Sequence, residues 1–435
     1  MRSNLSLRVP GAALLIVTAA FLVLAPGAWA GGSYRTLYRF EPKDGDFPVG
    51  ALISDAAGNL YGTASEGGKG AYCAYYGCGT VFKLTPNRRG GWTESLLYTF
   101  CSLSNCSDGG FPAGSLIFDQ AGNLYGATGQ GGIAGGGTVF KLTPSRDGSW
   151  YESVLYSFCS LKSCSDGLSP NDGLIFDKAG NLYGTTQSGG RGEPIGAGTA
   201  FRLAPTRDGS WSESVLYRFC AFQNCSDGKG PSSGLIFDQT GNLYGTTVQG
   251  GAAEGVGTVF ELTPNRDGSW TESVLYRFCS LTNCEDGAQP SADLIFDQAG
   301  NLDGTTNDGG SAGAGTVFEL TPNRDGSWSE SVLYSFCSLT NCSDGGDYPP
   351  SVILDQAGNL YGTTYYGGNA GYGVVFKLAP TARGGGWNET VLHNFLDRPG
   401  ALPQGGMIFD AAGNLYGTTG GDHYKTYGSV FKIAP

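Results

Sequence analysis

Histidine and basic side chains are scarce in this sequence. Its 435 residues include two histidines and 26 lysines and arginines, against 38 aspartates and glutamates, which gives a formal charge of -12. Because an acidic chain repels polyanions, nucleic acid and anionic membrane surfaces are not expected partners. Long apolar runs are lacking too, and only residues 9–24 come near the roughly 20 residues that span a membrane. We expect no membrane span.

The apolar run at residues 9–24 belongs to a predicted signal peptide. Arg2 and Arg8 flank its start, and Ala28-Trp29-Ala30 follows with the small residues that signal peptidase accepts. Residues 1–30 are therefore expected to be removed near Ala30, and residues 31–435 to form one exported, monomeric domain. No apolar tail or sorting motif follows the last strand-like segment, so we expect no C-terminal anchor.

A five-residue phrase, Gly-Asn-Leu-Tyr-Gly, recurs through the chain at intervals of 55 to 64 residues. Its asparagine stands at seven positions: Asn59, Asn123, Asn181, Asn242, Asn301, Asn359 and Asn414. The fifth copy departs from the phrase, with Asp303 where the others have tyrosine. Such a period indicates a repeat architecture of seven units.

Each unit contains four strand-like segments. In the second unit these are residues 116–119, 123–126, 137–143 and 150–158, separated by Gly-bearing turns. No segment has a sustained helical apolar period, so almost no helix is expected. The pattern predicts an all-β, seven-bladed β-propeller of four-stranded antiparallel blades.

The phase of the repeat favours a closed ring over an open solenoid. The seventh unit ends with its third strand, residues 429–433, and a solenoid would instead need polar capping units. Residues 34–40 match the pattern of the missing fourth strand. We therefore expect the N-terminal strand to complete the last blade.

The repeated motifs resemble those of a known family. Gly-Asn-Leu-Tyr-Gly-Thr-Thr, a Gly-Gly loop and Gly-Thr-Val-Phe-Lys-Leu recur through nearly all of the expected mature chain, as they do in the GloVer tandem-repeat (choice-of-anchor) proteins. The resemblance implies bacterial export and a propeller-like repeat. It brings no established activity with it.

The cysteines form six pairs with four residues between partners. In an exported protein this spacing predicts six local disulfides that stiffen loops. A zinc site would need two further ligands per pair, and two histidines cannot supply them, so neither a metal nor another cofactor is expected. The predicted pairs are Cys73 with Cys78, Cys101 with Cys106, Cys159 with Cys164, Cys220 with Cys225, Cys279 with Cys284, and Cys337 with Cys342.

Repeated carboxylates are interpreted as structural. Asp108 and its equivalents precede glycine and are read as turn residues, and Asp119, Asp238 and Asp297 are read as hairpin residues because a calcium loop needs more closely spaced oxygen ligands. Trp-x-Glu opens the fourth strand in six units. We interpret the tryptophan as blade packing and the glutamate as an edge charge that opposes aggregation.

A single site should break the repeat symmetry, and aromatic residues do so in the loops of units six, seven and one. These loops, with those that carry the cysteines, are expected on one face of the ring, here called the top face. The predicted ligand-binding residues are Tyr72, Tyr75, Tyr76, Tyr365, Tyr366, Tyr372, His423, Tyr424 and Tyr427. Exposed tyrosines suit a carbohydrate or an extracellular protein, although they can also pack on their own loops.

Two function classes remain open from the sequence. The first is a non-catalytic binding or adhesion scaffold, which fits the variable loops and names no catalytic residue. The alternative is a propeller enzyme, a lyase or hydrolase acting on an extracellular polymer, with His423 and top-face carboxylates as its acid and base. His393, in a fourth strand, is interpreted as a packed residue.

Overall fold

The computed structural model describes residues 33–73, 77–190, 196–251, 256–381, 385–397, 400–421 and 427–434. They form seven antiparallel sheets in a ring, one per repeat, which confirms the seven-bladed β-propeller. The helical segments in these ranges are five short 3-10 turns. None of the described helices is long and apolar enough to cross a membrane.

Each blade has an inner, a second, a third and an outer strand. From blade one to blade seven, the inner strands are Asp46–Pro48 with Ile53–Ser54, Gly110–Phe118, Leu168–Pro170 with Ile175–Phe176, Lys229–Pro231 with Ile236–Phe237, Ile295–Phe296, Ile353–Leu354 and Ile408–Phe409. The second strands are Leu60–Glu66, Leu124–Gln130, Leu182–Ser188, Leu243–Gln249, Leu302–Thr306, Leu360–Thr364 and Leu415–Thr419. The third strands are Thr80–Pro86, Thr138–Pro144, Thr199–Pro205, Thr258–Pro264, Thr316–Pro322, Val374–Pro380 and Ser429–Ala434. The outer strands are Trp92–Thr99, Trp150–Ser157, Trp211–Arg218, Trp270–Arg277, Trp328–Ser335, Trp387–Asn394 and, in blade seven, Ser33–Arg39.

The N-terminal strand closes the ring, as the repeat phase predicts. Ser33–Arg39 pairs antiparallel with Ser429–Ala434, with Tyr34 opposite Ile433. Phe40, which follows this strand, is 4% exposed and packs edge-on against Phe82 of blade one at 4.8 Å. The first and last strands of the described chain therefore share one sheet.

Aromatic side chains hold adjacent blades together. Phe158 at the end of one outer strand packs edge-on against Phe201 of the next blade, with ring centroids 4.9 Å apart. Tyr125 of the second strand meets Trp211 of the next blade at 6.4 Å, which agrees with the packing role expected for tryptophan. The final glycine of the repeated phrase leaves room for the third-strand phenylalanine of its own blade. In blade two this residue is Phe140, the equivalent of Phe201, and a Cβ at Gly126 would lie 2.6 Å from its Cζ.

The aspartate of each inner hairpin organises its turn. In blade two, Oδ1 of Asp119 accepts the backbone N–H groups of Ala121 and Asn123, both at 2.9 Å. Its Oδ2 accepts the Asn123 amide at 2.6 Å and the Tyr125 hydroxyl at 3.0 Å. Although burial opposes it, these hydrogen bonds lower the pKa of Asp119. The repeated Asp, Asn and Tyr thus form one hydrogen-bonded unit.

A second aspartate is buried between blades. Asp166 is fully buried, and its carboxylate accepts the Tyr156 hydroxyl at 2.9 Å and the backbone N–H groups of Ser160 and Leu161 at 2.9 and 3.2 Å. The turn interpretation was therefore correct but incomplete, because each such aspartate also anchors a tyrosine of the preceding outer strand. The equivalent pairs are Tyr38 with Asp44, Tyr98 with Asp108, Tyr217 with Asp227, Tyr276 with Asp286, and Tyr334 with Asp344.

The glutamates of Trp-x-Glu are not edge charges, so that interpretation was wrong. Their side chains lie between blades, where one carboxyl oxygen of each is buried without a described hydrogen-bond partner. Burial and the nearby Asp108 raise the pKa of Glu152 to about 8. The six residues are Glu94, Glu152, Glu213, Glu272, Glu330 and Glu389. The outer strands carry these groups inward because the alternating side chains of a strand face both sides of the sheet.

The six disulfides join the predicted neighbours. The structure links Cys73 with Cys78, Cys101 with Cys106, Cys159 with Cys164, Cys220 with Cys225, Cys279 with Cys284, and Cys337 with Cys342. The last five close the 3-10 turns that lead into blades two to six. Their number fits an oxidising, extracellular environment.

The backbone of these five turns is unusual at both cysteines. In the first turn, Cys101 and Cys106 have positive φ angles of 58° and 50°. The same conformation recurs at Cys225, with φ of 50°, at Cys284, with φ of 53°, and at the other cysteines of the turns. Each of these five disulfides therefore closes a turn whose backbone lies in a region that residues other than glycine rarely adopt.

Candidate ligand site at the mouth of the central channel

The cysteine turns and the Gly-Gly loops meet on the top face, as expected. The Cys106 carbonyl accepts the N–H of Gly109, which begins the next blade, and that of Gly132 in the Gly-Gly loop, both at 2.9 Å. The same double contact recurs at Cys164, Cys225 and Cys284. Inner strands begin and second strands end on this face, so their side chains surround the upper part of the channel.

A cavity of about 810 Å³ opens there. It is lined by the first residues of the inner strands and the last residues of the second strands, and six of the seven blades contribute. Its volume lies within the roughly 300–1,000 Å³ of small-molecule sites. The hydroxyl and amide side chains in the lining are Ser65, Ser115, Gln130, Ser169, Asn171, Gln187, Ser291, Asn307, Ser351 and Gln404.

Three tyrosines form one corner of this cavity. Tyr365 and Tyr366 follow the second strand of blade six and meet edge-on, with ring centroids 4.6 Å apart. Tyr348, at the entry of the same blade, meets Tyr365 at 6.4 Å. Tyr348 and Tyr366 are 50% and 44% exposed. Tyr365 is more buried, which raises the pKa of its hydroxyl against the hydrogen bond with Gln404.

A second, smaller cavity of about 480 Å³ adjoins this corner. It lies between the cysteine turn and the Gly-Gly loop of blade six, and Thr340, Asn341, Ser343 and Asn369 line it. Tyr366 lines both cavities. The two spaces therefore meet at one exposed aromatic ring.

The disulfides contribute little to the lining of these two cavities. Cys342 of blade six lines the smaller one. Its counterparts in the turns that lead into blades four and five, Cys225 and Cys284, line neither of the two. These disulfides therefore do not border either cavity. Their effect on the top face is limited to the loops that they close.

Two carboxyl groups meet on another part of the channel wall. Asp172 of blade three and Asp293 of blade five come together in front of Gly234 of blade four, whose N–H donates to Oδ1 of Asp293 at 2.6 Å. Burial raises the pKa of both groups, and the charge of Asp293 raises that of Asp172 further. The two carboxyls lie within hydrogen-bonding distance of each other, and burial beside a second carboxyl favours the protonated form of Asp172.

The nine sequence-predicted ligand residues fall into four groups. Tyr365 and Tyr366 line the cavity, whereas Tyr72 is 57% exposed in the blade-one loop and is not among its lining residues. Tyr372 packs against the hydrophobic cluster between blades six and seven, and Tyr427 against the one between blades seven and one. Tyr75, Tyr76, His423 and Tyr424 lie outside the described residues.

His393 is packed, as interpreted. Its ring stacks on Tyr34 with centroids 3.8 Å apart and the planes 1° from parallel. Burial lowers its pKa to about 4, so the ring is neutral at ordinary pH.

Tyr348, Asp172 and Asp293 are the cavity residues that sequence reasoning missed. All three break the repeat symmetry: Tyr348 stands where the other six units have proline, and neither aspartate recurs at its position in the other blades. The signal was present, but it lay in the segments that lead into the inner hairpins and not in the aromatic loops.

A ring of seven blades with a ligand-sized cavity at the top of its channel defines a β-propeller with a candidate top-face site. The chain belongs to the Gloeobacter/Verrucomicrobia repeat family, whose model matches residues 26–190, 153–343 and 280–435. No curated protein matches the chain.

Two solved structures are similar to it. One is PorZ, an essential surface component of the type-IX secretion system of Porphyromonas gingivalis, with 14% identity, a TM-score of 0.49, and coverage of 88% of this chain and 46% of PorZ. The other is a luciferin-regenerating enzyme, with 12% identity, a TM-score of 0.44, and coverage of 93% and 96%. The chain spans about half the length of PorZ.

Proposed function

We propose that this protein is an exported binding protein that takes a neutral carbohydrate into the mouth of its central channel. The observation that carries the proposal is the corner of Tyr348, Tyr365 and Tyr366 beside a cavity of about 810 Å³ otherwise rich in hydroxyl and amide groups. Tyrosine rings offer flat apolar area with a polar tip, which suits the faces of sugar rings.

The charge of the lining favours a neutral glycan over an anionic one. The described lining residues include Asp172 and Asp293 but neither lysine nor arginine, the side chains that usually recognise carboxylate, sulfate or phosphate groups. Amides such as Asn307 and Gln404 can both donate to and accept from sugar hydroxyls. The smaller cavity beyond Tyr366 gives room for more than one sugar unit.

A glycan array with length ladders of neutral oligosaccharides tests this proposal. The purified protein should bind at least one ladder, and Tyr365→Ala should weaken that binding by at least about tenfold, as for a hot-spot aromatic residue. Tyr151→Ala is the matched control, because Tyr151 is 61% exposed on an outer strand, far from the channel residues in the fold. Equal loss in both variants, or binding of anionic glycans only, would contradict the proposal. Capture of an extracellular protein in place of any glycan would point to the other expected ligand class.

The Asp172–Asp293 pair favours a second candidate function, a hydrolase. A carboxyl whose pKa is raised by burial beside a second carboxyl can act as an acid while its partner acts as a base, a pattern that activates water in acid–base enzymes. Because they are within hydrogen-bonding distance, they lie closer than the roughly 5–9.5 Å that separates the carboxyls of most glycosidases. The pair therefore does not match a standard glycosidase.

Product analysis separates the two functions. A hydrolase should release new reducing ends or free amines from a bound polymer, and Asp172→Asn and Asp293→Asn should each abolish release while leaving binding measurable. A binding protein releases nothing, and its affinity depends on the tyrosines. Turnover that survives both substitutions would remove the pair from any catalytic role.

A further inference from the structure

The first repeat unit carries two disulfides, whereas every other unit carries at most one. The bond between Cys101 and Cys106, here called the turn disulfide, closes the turn that leads into blade two. The bond between Cys73 and Cys78, here called the loop disulfide, lies in the Gly-Gly loop of blade one. The Gly-Gly loops of the other six units contain no cysteine. Blade one is therefore the unit in which a loop disulfide can meet a turn disulfide.

The sulfur atoms of these two disulfides lie together. The Sγ atoms of Cys73, Cys78 and Cys101 are all within 4.8 Å of one another. The backbone supports this arrangement, because the N–H of Tyr72 in the loop donates to the Cys101 carbonyl at 3.3 Å. Among the residues that the structure describes, no other three cysteine sulfurs lie so close. Each disulfide of this unit is therefore within reach of the other.

The four cysteines differ in burial. Cys78 and Cys101 are 6% and 0% exposed and belong to one hydrophobic cluster between blades one and two. Cys73 and Cys106 are partly exposed and pack against the same cluster. Each disulfide therefore joins a buried cysteine to a partly exposed one. The accessible entry is Cys73, because the adjacent Tyr72 is 57% exposed on the top face.

We propose that the two disulfides of blade one form a thiol–disulfide exchange site that takes a dithiol as its reductant. A thiolate of the dithiol attacks Sγ of Cys73, which breaks the loop disulfide and releases the Cys78 thiolate. The Cys78 thiolate attacks Sγ of Cys101, forms a new disulfide with it and releases the thiolate of Cys106. The second thiol of the dithiol then displaces Cys73. The dithiol loses two electrons and becomes a disulfide, and its two protons end on Cys73 and Cys106.

Burial sets the direction of the exchange. A thiolate is disfavoured in apolar surroundings, so the Cys78 thiolate released inside the cluster reacts onward. The charge moves to Cys106, which is partly exposed and therefore open to water. The product keeps a bond between the two buried cysteines, Cys78 and Cys101, and places both thiols on the two partly exposed ones.

The exchange site adjoins the larger cavity at the channel mouth. The Cys78 carbonyl accepts the backbone N–H of Phe111 at 2.7 Å, and Phe111 lines that cavity. The reacting loop is therefore one hydrogen bond away from the cavity wall.

Limited reduction of the full-length protein tests the exchange. Trypsin separates the loop disulfide, in residues 70–83, from the turn disulfide, in residues 90–141, because it cuts after lysine and arginine. After treatment with an equimolar amount of dithiothreitol and trapping of thiols by alkylation, peptide mapping should find the two peptides joined through Cys78 and Cys101. The other two cysteines of the unit should carry the alkyl groups. Reduction of either disulfide without any joined peptides would overturn the proposal.

Cys73→Ser gives a second test that needs no reductant. It leaves the Cys78 thiol beside the turn disulfide, which is the arrangement of the second step. The variant should therefore lose the bond between Cys101 and Cys106, join the two peptides and expose one free thiol at Cys106. A turn disulfide that stays intact beside a free Cys78 thiol would overturn the proposal. Limited reduction of the parent decides the question if this variant does not fold.

Cys159→Ser is the matched control. It frees the Cys164 thiol in the turn that leads into blade three, where no second disulfide belongs to the described sulfur group. The control should keep one free thiol at Cys164 and all five remaining native bonds. Rearranged bonds in Cys73→Ser but not in the control support the site, whereas equal rearrangement in both would overturn it.

Discussion

The interfaces between blades and the mouth of the channel are built by opposite rules. At the interfaces the same side chains recur from blade to blade, such as the buried pairs of Tyr156 with Asp166 and Tyr217 with Asp227. At the channel mouth, the position after the Gly-Thr-Thr segment of the second strand, which reads Gly-Thr-Ala in blade one and Gly-Ala-Thr in blade two, differs in nearly every blade. Its residues are Ser65, Gly129, Gln187, Val248, Asn307, Tyr365 and Gly420. Repetition holds the ring together, and variation within it creates a single candidate site.

This difference predicts how substitutions divide. Changes at repeated positions should lower the free energy of unfolding, because those side chains are buried and hydrogen-bonded. Changes at the channel mouth should alter ligand binding with little effect on stability. The four predictions below run from the largest expected effect on stability to the smallest.

Deletion of residues 31–40 should cause the largest loss. It removes the outer strand of blade seven and Phe40, and loss of a single buried phenylalanine side chain alone costs about 3–5 kcal/mol. Since a whole domain is stable by only about 5–15 kcal/mol, the truncated chain should melt far below a chain that starts at residue 31. Thermal melting followed by circular dichroism measures this, and equal melting temperatures would contradict the role of ring closure.

Asp166→Ala should cost about 3 kcal/mol, because it leaves the Tyr156 hydroxyl and two backbone N–H groups without their buried acceptor. Tyr156→Phe removes only one of the three donors and should cost about 1 kcal/mol. Urea denaturation of both variants gives the comparison. A loss below about 0.5 kcal/mol for Asp166→Ala would mean that the repeated aspartates are dispensable.

The repeated part of the fold was predictable from the sequence, down to the completion of blade seven by residues 34–40. A period-two apolar pattern and Gly-bearing turns specify strands locally, and a sevenfold repeat makes the same evidence available seven times. The position of Glu152 was not predictable, because only the packing of one blade on the next shows which side of an outer strand is buried.

The candidate site was only partly predictable. Tyr365 and Tyr366 were found as departures from the repeat, whereas Tyr348, Asp172 and Asp293 were missed because they lie on three different blades and share a cavity only in the closed ring. The six disulfides were predicted, yet the proximity of two of them in blade one emerges only from the fold. Residues far apart in sequence cannot be assigned to one site until the ring is closed.

The interface glutamates should make stability fall as pH rises. Burial raises the pKa of Glu152 to about 8, above the 4.5 of an exposed glutamate, so the folded protein holds a proton that the unfolded chain has released. The group adds no penalty below pH 4.5, and the loss develops between pH 4.5 and about 8. Glu152→Gln should therefore stabilise by roughly 1 kcal/mol at pH 8 after allowance for solvent screening, and have little effect at pH 4.5. Denaturation at both pH values checks this, and a variant with the same pH slope as the parent would contradict it.

Tyr366→Ala should have the smallest effect on stability and a large one on binding. Its ring is 44% exposed and contacts Tyr365 edge-on, so truncation removes little buried area and should cost less than about 1 kcal/mol. The same ring lies where the larger cavity at the channel mouth and the smaller cavity of blade six meet. Its loss should therefore weaken binding of a longer oligosaccharide more than that of a single sugar. Melting curves and a titration with a neutral ladder separate the two effects. A melting temperature lowered as far as by Asp166→Ala would show that the tyrosine packs its own loop, and unchanged affinity at every length would move the site away from blade six.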